Sequence, residues 1–144
     1  MKKLGAVCTV VAIVAFALAC VLCLVHGGCG GTLETTAGSS VPMKCHWAYL
    51  SSAVLAALGA IAALLALVGK QAESKRLCGA LCVLLGLAVF AVLFALIGVC
   101  SGQDMACVVH RLPVAACMVL GIIAALIAMA NPGGNSSSLF GDDL

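Results

Sequence analysis

Four long apolar stretches, none interrupted by a charged residue, constrain this chain more than any other feature of its sequence. A helix needs about 20 such residues to cross the roughly 30 Å of hydrocarbon in a bilayer. Each stretch is apolar around its whole helical circumference, which is typical of a helix buried in a membrane. The stretches cover residues 4–25, 47–68, 77–99 and 112–130. The sequence therefore predicts an all-α membrane protein, with four transmembrane helices in one bundle.

The composition excludes the ordinary soluble classes. Of the 144 residues, 65% are apolar and 8% are charged, whereas soluble domains carry about 25% charged residues. A soluble fold with so few polar groups could not cover its own surface, but a lipid bilayer solvates an apolar exterior. The net charge of +2 is small and scattered over the sequence, so we expect no nucleic-acid partner.

The basic residues predict the orientation of the bundle. Five of the seven lie at the amino terminus or in the link between the second and third stretches, and the positive-inside rule places that side in the cytoplasm. Both termini are then cytoplasmic, and Trp47 and Tyr49 mark the outer interface, where amphipathic rings are enriched. The polar residues 132–144 are predicted to form a disordered cytoplasmic tail. The five basic residues on the predicted cytoplasmic side are Lys2, Lys3, Lys70, Lys75 and Arg76, and the other two basic residues are Lys44 and Arg111.

The first stretch has a second interpretation, as a signal peptide that is removed. It follows a basic amino terminus, and residues 17–20 read Ala-Leu-Ala-Cys, which is similar to a lipoprotein cleavage site. However, the apolar run continues through residues 21–25, and cleavage would leave three spans. The sequence favours a retained first helix, with cleavage before Cys20 as the alternative.

The two halves of the chain are similar to each other. Residues 43–69 and 105–131 align without a gap and are identical at 11 of 27 positions. Alanine and leucine inflate that count, but both segments also begin with Met-x-Cys. We therefore predict one transmembrane domain over residues 1–131, made of two duplicated hairpins that enter the membrane in the same sense. Repeat one covers residues 5–69, and repeat two covers residues 77–131.

Sulfur and imidazole side chains concentrate at the predicted outer ends of the helices. Thiolate and thioether groups select Cu(I), and His and Met are common axial ligands of haem iron. The segment from Met43 to His46 alone holds three such donors. We therefore predict that this end binds a soft metal such as copper, or haem. The candidate ligands are His26, Cys29, Met43, Cys45, His46, Cys100, Met105, Cys107 and His110.

Two other interpretations of the same cysteines remain open. Disulfides from Cys29 to Cys45 and from Cys100 to Cys107 would stabilise the outer loops in an oxidising exterior. Alternatively, the loops would relay electrons by thiol–disulfide exchange, because the layout resembles that of membrane thiol–quinone oxidoreductases of the DsbB/VKOR type. Against that enzyme, the Cys-x-x-Cys pair at residues 20–23 lies within the first stretch and has no nearby cation to lower its pKa.

The pentapeptide from Met43 to Trp47, with the second Met-x-Cys at residues 105–107, resembles the signature of a family of uncharacterised small bacterial membrane proteins. The resemblance covers nearly the whole chain. Members are often encoded beside ABC transporters of the macrolide-exporter type. This implies an accessory role in transport or envelope function at the bacterial inner membrane, with a transporter permease as a partner. We therefore expect a non-enzymatic accessory or binding subunit. Its alanine-rich helix faces would also allow a second copy of the chain to dock. The second half departs from the signature, because Val108 and Val109 replace His-Trp.

Overall fold

A computed structural model describes residues 2–26, 32–97 and 106–131 of the chain. Within these residues the fold has four long helices, and each is long and apolar enough to cross a membrane. The predicted all-α architecture with four transmembrane helices is therefore confirmed, and the chain is a multi-pass membrane protein. The helices are α1 (Lys2–Val25), α2 (Lys44–Val68), α3 (Ala72–Phe90, continued by a π-helical segment over Ala91–Leu96) and α4 (Ala106–Ala130).

The helices extend beyond the apolar stretches at several ends. Helix α2 begins at Lys44 rather than at Trp47, and α4 begins at Ala106 rather than at Leu112. A helix satisfies its backbone hydrogen bonds within its own segment, so it continues past the point where the side chains become polar. Pro113 is accommodated inside α4, in its second turn.

The four helices run alternately up and down. Helix α1 packs against α2 and α4, and α3 packs against the same two helices on the opposite side. At one end of the bundle, which we call the histidine end, His26 after α1 meets His110 of α4. We call the other end the lysine end, because Lys70 and Lys75 lie there, between α2 and α3 and in the first turn of α3. At this end Gly5 of α1 lies against the backbone of Asn131 after α4.

Side-chain size decides which face of each helix points inward. Large apolar side chains such as Val14, Leu58, Leu84 and Leu120 are exposed on the outside, where lipid solvates them. The interior is built mainly from alanine, cysteine and glycine, which allow helix backbones to approach closely. Because every face is apolar, packing rather than hydrophobicity separates the inside from the outside.

One large ring lies at the centre of this small-residue interior. Phe16 of α1 is fully buried. It occupies space that side chains would otherwise fill at Gly59 of α2 and Gly121 of α4, and its ring edge also faces Gly86 of α3. Glycines on α2, α3 and α4 therefore leave the space that the Phe16 ring of α1 fills.

A small exposed hairpin, which no pattern in the sequence predicts, lies in the link between α1 and α2. Strand β1 (Thr32–Glu34) pairs antiparallel with β2 (Ser40–Pro42), and Leu33 is opposite Val41. The turn uses Gly38 at φ 78°, a backbone conformation that glycine adopts without a steric penalty. The hairpin projects from the histidine end.

The internal repeat stays a prediction, since nothing in the structure tests a duplication of residues 5–69 as residues 77–131. The tail over residues 132–144, predicted to be disordered and cytoplasmic, lies outside the described residues. The cytoplasmic position of the lysine end is likewise a prediction from the charges.

Candidate binding site at the histidine end

Two imidazole rings from different helices stack on each other at the histidine end. The ring centroids of His26 and His110 are 4.2 Å apart, and the ring planes differ by 10°. His26 directly follows α1, where its backbone N–H still donates to the carbonyl of Leu22 at 3.0 Å. His26 is exposed and His110 is half-buried, so the pair can be reached from outside the bundle.

At the same end of the bundle, three thiols lie in the interior. Cys23, Cys45 and Cys107 come from α1, α2 and α4, and each is at most 2% exposed. The Tyr49 hydroxyl donates a hydrogen bond of 2.6 Å to the backbone carbonyl of Cys107, which ties α2 to α4.

One turn deeper, the interior contains a hydroxyl without a partner. Ser52 is fully buried, and its Oγ makes no hydrogen bond within the described part of the chain. The neighbouring Ser51 behaves as helical serines in membranes usually do, because its Oγ donates to the carbonyl of Trp47 at 2.5 Å. The Ser52 hydroxyl is therefore an uncompensated polar group in the apolar interior.

The remaining described donors, His46 and Met43, have other neighbours. His46 is exposed and meets the Trp47 ring edge-on, with centroids 5.8 Å apart. Met43 is half-buried and packs against the hydrophobic core. The donors of the Met-x-Cys-His segment thus lie in three different environments, with the methionine on the core, the thiol inside it and the imidazole at the surface.

The described members of the predicted site lie at one end of the bundle but are divided between its surface and its interior. Among the described residues, no three His, Cys, Asp or Glu side chains are grouped closely enough to hold a metal ion. The predicted ligands Cys29, Cys100 and Met105 lie outside the described residues. Cys45 and Cys107 carry free thiols, so the described residues do not support the two predicted disulfides.

The predicted position of Tyr49 at this end is wrong. Tyr49 was expected to lie at the membrane interface with Trp47, but it is fully buried, whereas Trp47 is 54% exposed. The available signal was the helical spacing, since Tyr49 lies four residues after Cys45 and therefore on the same buried face. Arg111 lies with its guanidinium carbon 5.1 Å from the centroid of the Phe94 ring, a cation–π contact between α4 and the π-helical segment.

Comparison with known proteins places the chain in a family without assigning it an activity. A family model described as a domain of unknown function, DUF4418, matches residues 6–131, which covers all four helices. No curated protein and no solved structure matches the sequence. The family agrees with the resemblance seen in the sequence to an uncharacterised family. The chain therefore belongs to the DUF4418 family, whose function is unknown.

Proposed function

We propose that the protein is a non-enzymatic binding subunit of a membrane system, and that its histidine end binds a copper ion. The observation that carries this proposal is the contact between His26 and His110, which places two accessible imidazoles from separate helices 4.2 Å apart. Metal sites of helical bundles are commonly built in this way, from side chains on facing helices.

The chemistry of the pair suits a transition metal. Imidazole nitrogen is a ligand for copper, zinc, iron and nickel, and soft sulfur ligands shift that preference towards Cu(I). The stacked rings do not chelate as they stand, because the nitrogen lone pairs lie in the ring planes. Rotation of the exposed His26 ring would point one of its nitrogens towards an ion bound to His110. Along the sequence, Cys29 follows His26 by three residues, and Cys100 and Met105 precede His110, so these links also contain soft donors.

A thiol–quinone oxidoreductase is less well supported. That enzyme would need the thiols of its outer loops to reach the thiols of other proteins. Cys45 and Cys107 are 0% and 1% exposed, so neither sulfur is accessible in this conformation. Cys23, one half of the Cys-x-x-Cys pair, is 2% exposed and lies among apolar residues. Buried thiols in such surroundings are chemically inert.

The test compares three histidine variants that differ in their position at the same end. His26→Ala and His110→Ala remove the two members of the pair, while His46→Ala is the matched control because its ring lies against Trp47 instead. We expect purified protein in nanodiscs to bind one copper ion. Each pair variant should weaken that binding at least about tenfold, since even outer-shell partners of a metal site contribute that much.

Haem is the competing ligand and has a distinct readout. A Soret band that appears on hemin addition and is lost in His26→Ala and His110→Ala would assign the pair to haem instead of copper. The proposal of a metal or haem site fails if the unmodified protein binds neither. It also fails if the two pair variants bind as tightly as the His46→Ala control.

We further propose that the subunit lies in the bacterial inner membrane with its histidine end outward, next to an ABC transporter permease. The support for this is the distribution of Lys and Arg and the family resemblance. A membrane-impermeant maleimide should label Ser39→Cys, in the hairpin, on intact cells, but it should label Lys70→Cys only after lysis. The reverse pattern would contradict the orientation. If the protein does not co-purify with a permease, the proposed permease partner is contradicted.

A further inference from the structure

The hairpin at the histidine end has one apolar face and one polar face. Leu33 and Val41 are directly opposite each other in the antiparallel register, and consecutive side chains of a strand point to opposite faces. Leu33 and Val41 therefore share one face. The other face carries Thr32, Glu34, Ser40 and Pro42. Leu33 is 58% exposed and Val41 is 43% exposed, so neither side chain is covered within the part of the chain that the structure describes.

The turn of the hairpin satisfies its own polar groups. The backbone N–H of Thr35 donates to the carbonyl of Ser39 at 3.0 Å, and the N–H of Gly38 donates to the carbonyl of Thr35 at 2.8 Å. The Thr35 hydroxyl donates to the same Ser39 carbonyl at 2.7 Å. A two-stranded hairpin is nevertheless only marginally stable in water, and it becomes stable when its apolar face packs against another surface. This hairpin therefore needs a surface for its apolar pair.

The hairpin is attached to the membrane-spanning bundle without a linker. Strand β2 ends at Pro42, and the next residue, Met43, caps α2 and packs against the hydrophobic core. The second membrane span begins at Lys44, three residues after Val41. Three residues of extended chain reach about 10 Å, so the apolar face is held within reach of the lipid headgroups.

The size and the charge of the apolar face favour lipid over protein as its partner. A specific protein interface buries roughly 1,200–2,000 Å² in total, which two side chains cannot supply. A bilayer requires no such area, because binding at its interface increases with every apolar side chain that is buried there. The one charged residue of the hairpin, Glu34, lies on the opposite face, so no charge has to leave water.

We infer that the hairpin is a membrane-surface anchor. Leu33 and Val41 insert into the interface of the leaflet at the histidine end, and the opposite face of the hairpin remains in water. This inference goes beyond the copper proposal and does not depend on it, since neither side chain is a metal ligand.

The experiment measures the membrane depth of each face of the hairpin with a tryptophan. The chain has a single tryptophan, so Trp47→Phe gives a silent background. In that background Val41→Trp reports on the apolar face, and Ser40→Trp, at the adjacent position of the same strand, is the matched control on the polar face. In phosphatidylcholine vesicles, lipids with brominated acyl chains should quench Val41→Trp at least about twofold more strongly than Ser40→Trp. Acrylamide in the water should show the reverse order.

A second pair of variants tests the apolar face without an added tryptophan. Leu33→Asn removes one apolar side chain, whereas Thr32→Asn introduces the same residue on the polar face of the same strand. Hydrogen exchange of the hairpin amides is measured for the full chain in nanodiscs. Exchange should be about tenfold faster in Leu33→Asn, because the partial burial of one leucine in lipid is lost. Thr32→Asn should change the exchange rate much less.

Three outcomes would overturn the inference. Equal quenching of Val41→Trp and Ser40→Trp by the brominated lipids would show that neither face prefers the bilayer. A blue-shifted emission of Val41→Trp that brominated lipids do not quench would assign the apolar face to a protein surface, such as a second copy of the chain. Equal exchange rates in Leu33→Asn and Thr32→Asn would show that contact of the apolar face with lipid does not stabilise the hairpin.

Discussion

Because glycines surround the Phe16 ring, the packing of this bundle can be tested by adding one methyl group. A Cβ at Gly59 would overlap the Phe16 ring, coming 2.5 Å from its Cε1 atom, ~1 Å inside ordinary van der Waals contact. The ring cannot retreat easily, because it is fully buried and its other edge faces Gly121. Overpacking of this kind costs about 1–3 kcal/mol. Gly59→Ala should therefore destabilise the folded bundle.

Gly121→Ala is the matched control, because it adds the same methyl group on the other side of the same ring. Its Cβ would come 3.1 Å from the Cε2 atom of Phe16, so a shift of a few tenths of an ångström accommodates it. Both variants receive the same favourable contribution from helix propensity, about 1 kcal/mol for alanine over glycine, and this term cancels in the comparison. We expect Gly59→Ala to be less stable than Gly121→Ala by about 1–2 kcal/mol.

The assay is reversible unfolding in mixed micelles of SDS and a mild detergent, followed by circular dichroism. The double variant Phe16→Leu/Gly59→Ala should recover part of the loss, because a smaller side chain leaves space for the new methyl group. Residues in contact typically show coupling energies of about 0.5–3 kcal/mol in such a double-mutant cycle. The reasoning would be refuted if Gly59→Ala matched Gly121→Ala, or if the cycle showed no coupling.

Three further predictions concern the histidine end. Tyr49→Phe removes the hydroxyl that donates to the Cys107 carbonyl, and SDS unfolding should show a loss of about 0.5–1.5 kcal/mol; unchanged stability would contradict the bond. Ser52→Ala removes a buried hydroxyl that has no partner among the described residues, so its unfolding free energy should stay equal or rise, whereas a clear loss relative to Ser51→Ala would reveal a missing partner. The buried thiols of Cys45 and Cys107 should react with maleimide at least about tenfold more slowly than Ser51→Cys in folded protein; comparable rates, measured by peptide mass mapping, would contradict their burial.

Particular residues show how far sequence reasoning extends into the site. The sequence placed His26 and His110 at one end of the bundle, because span lengths and connectivity require the first helix to end where the fourth begins. It could not show that their rings stack, since this depends on the rotation of α1 and α4 about their axes. The same rotation decides that Cys45 points inward while its neighbour His46 points outward.

Tyr49 illustrates the same limit. An amphipathic ring at the end of a span is stable either at the headgroup level or inside, provided that its hydroxyl finds an acceptor. The acceptor here is the Cys107 carbonyl, which lies 58 residues further along the chain. No local pattern in the sequence shows that this carbonyl is within reach.

The sequence by itself determined the number of helices, their approximate ends and their membrane environment, because these follow from the transfer of long uncharged segments from water to hydrocarbon. Only the tertiary structure decided which residues face each other. In a chain whose helices are apolar on every side, lipid solvates all faces about equally well. The inward face is then selected by the fit of side-chain shapes, such as the Phe16 ring against Gly59 and Gly121, and shape complementarity between distant segments becomes visible only when the helices are packed.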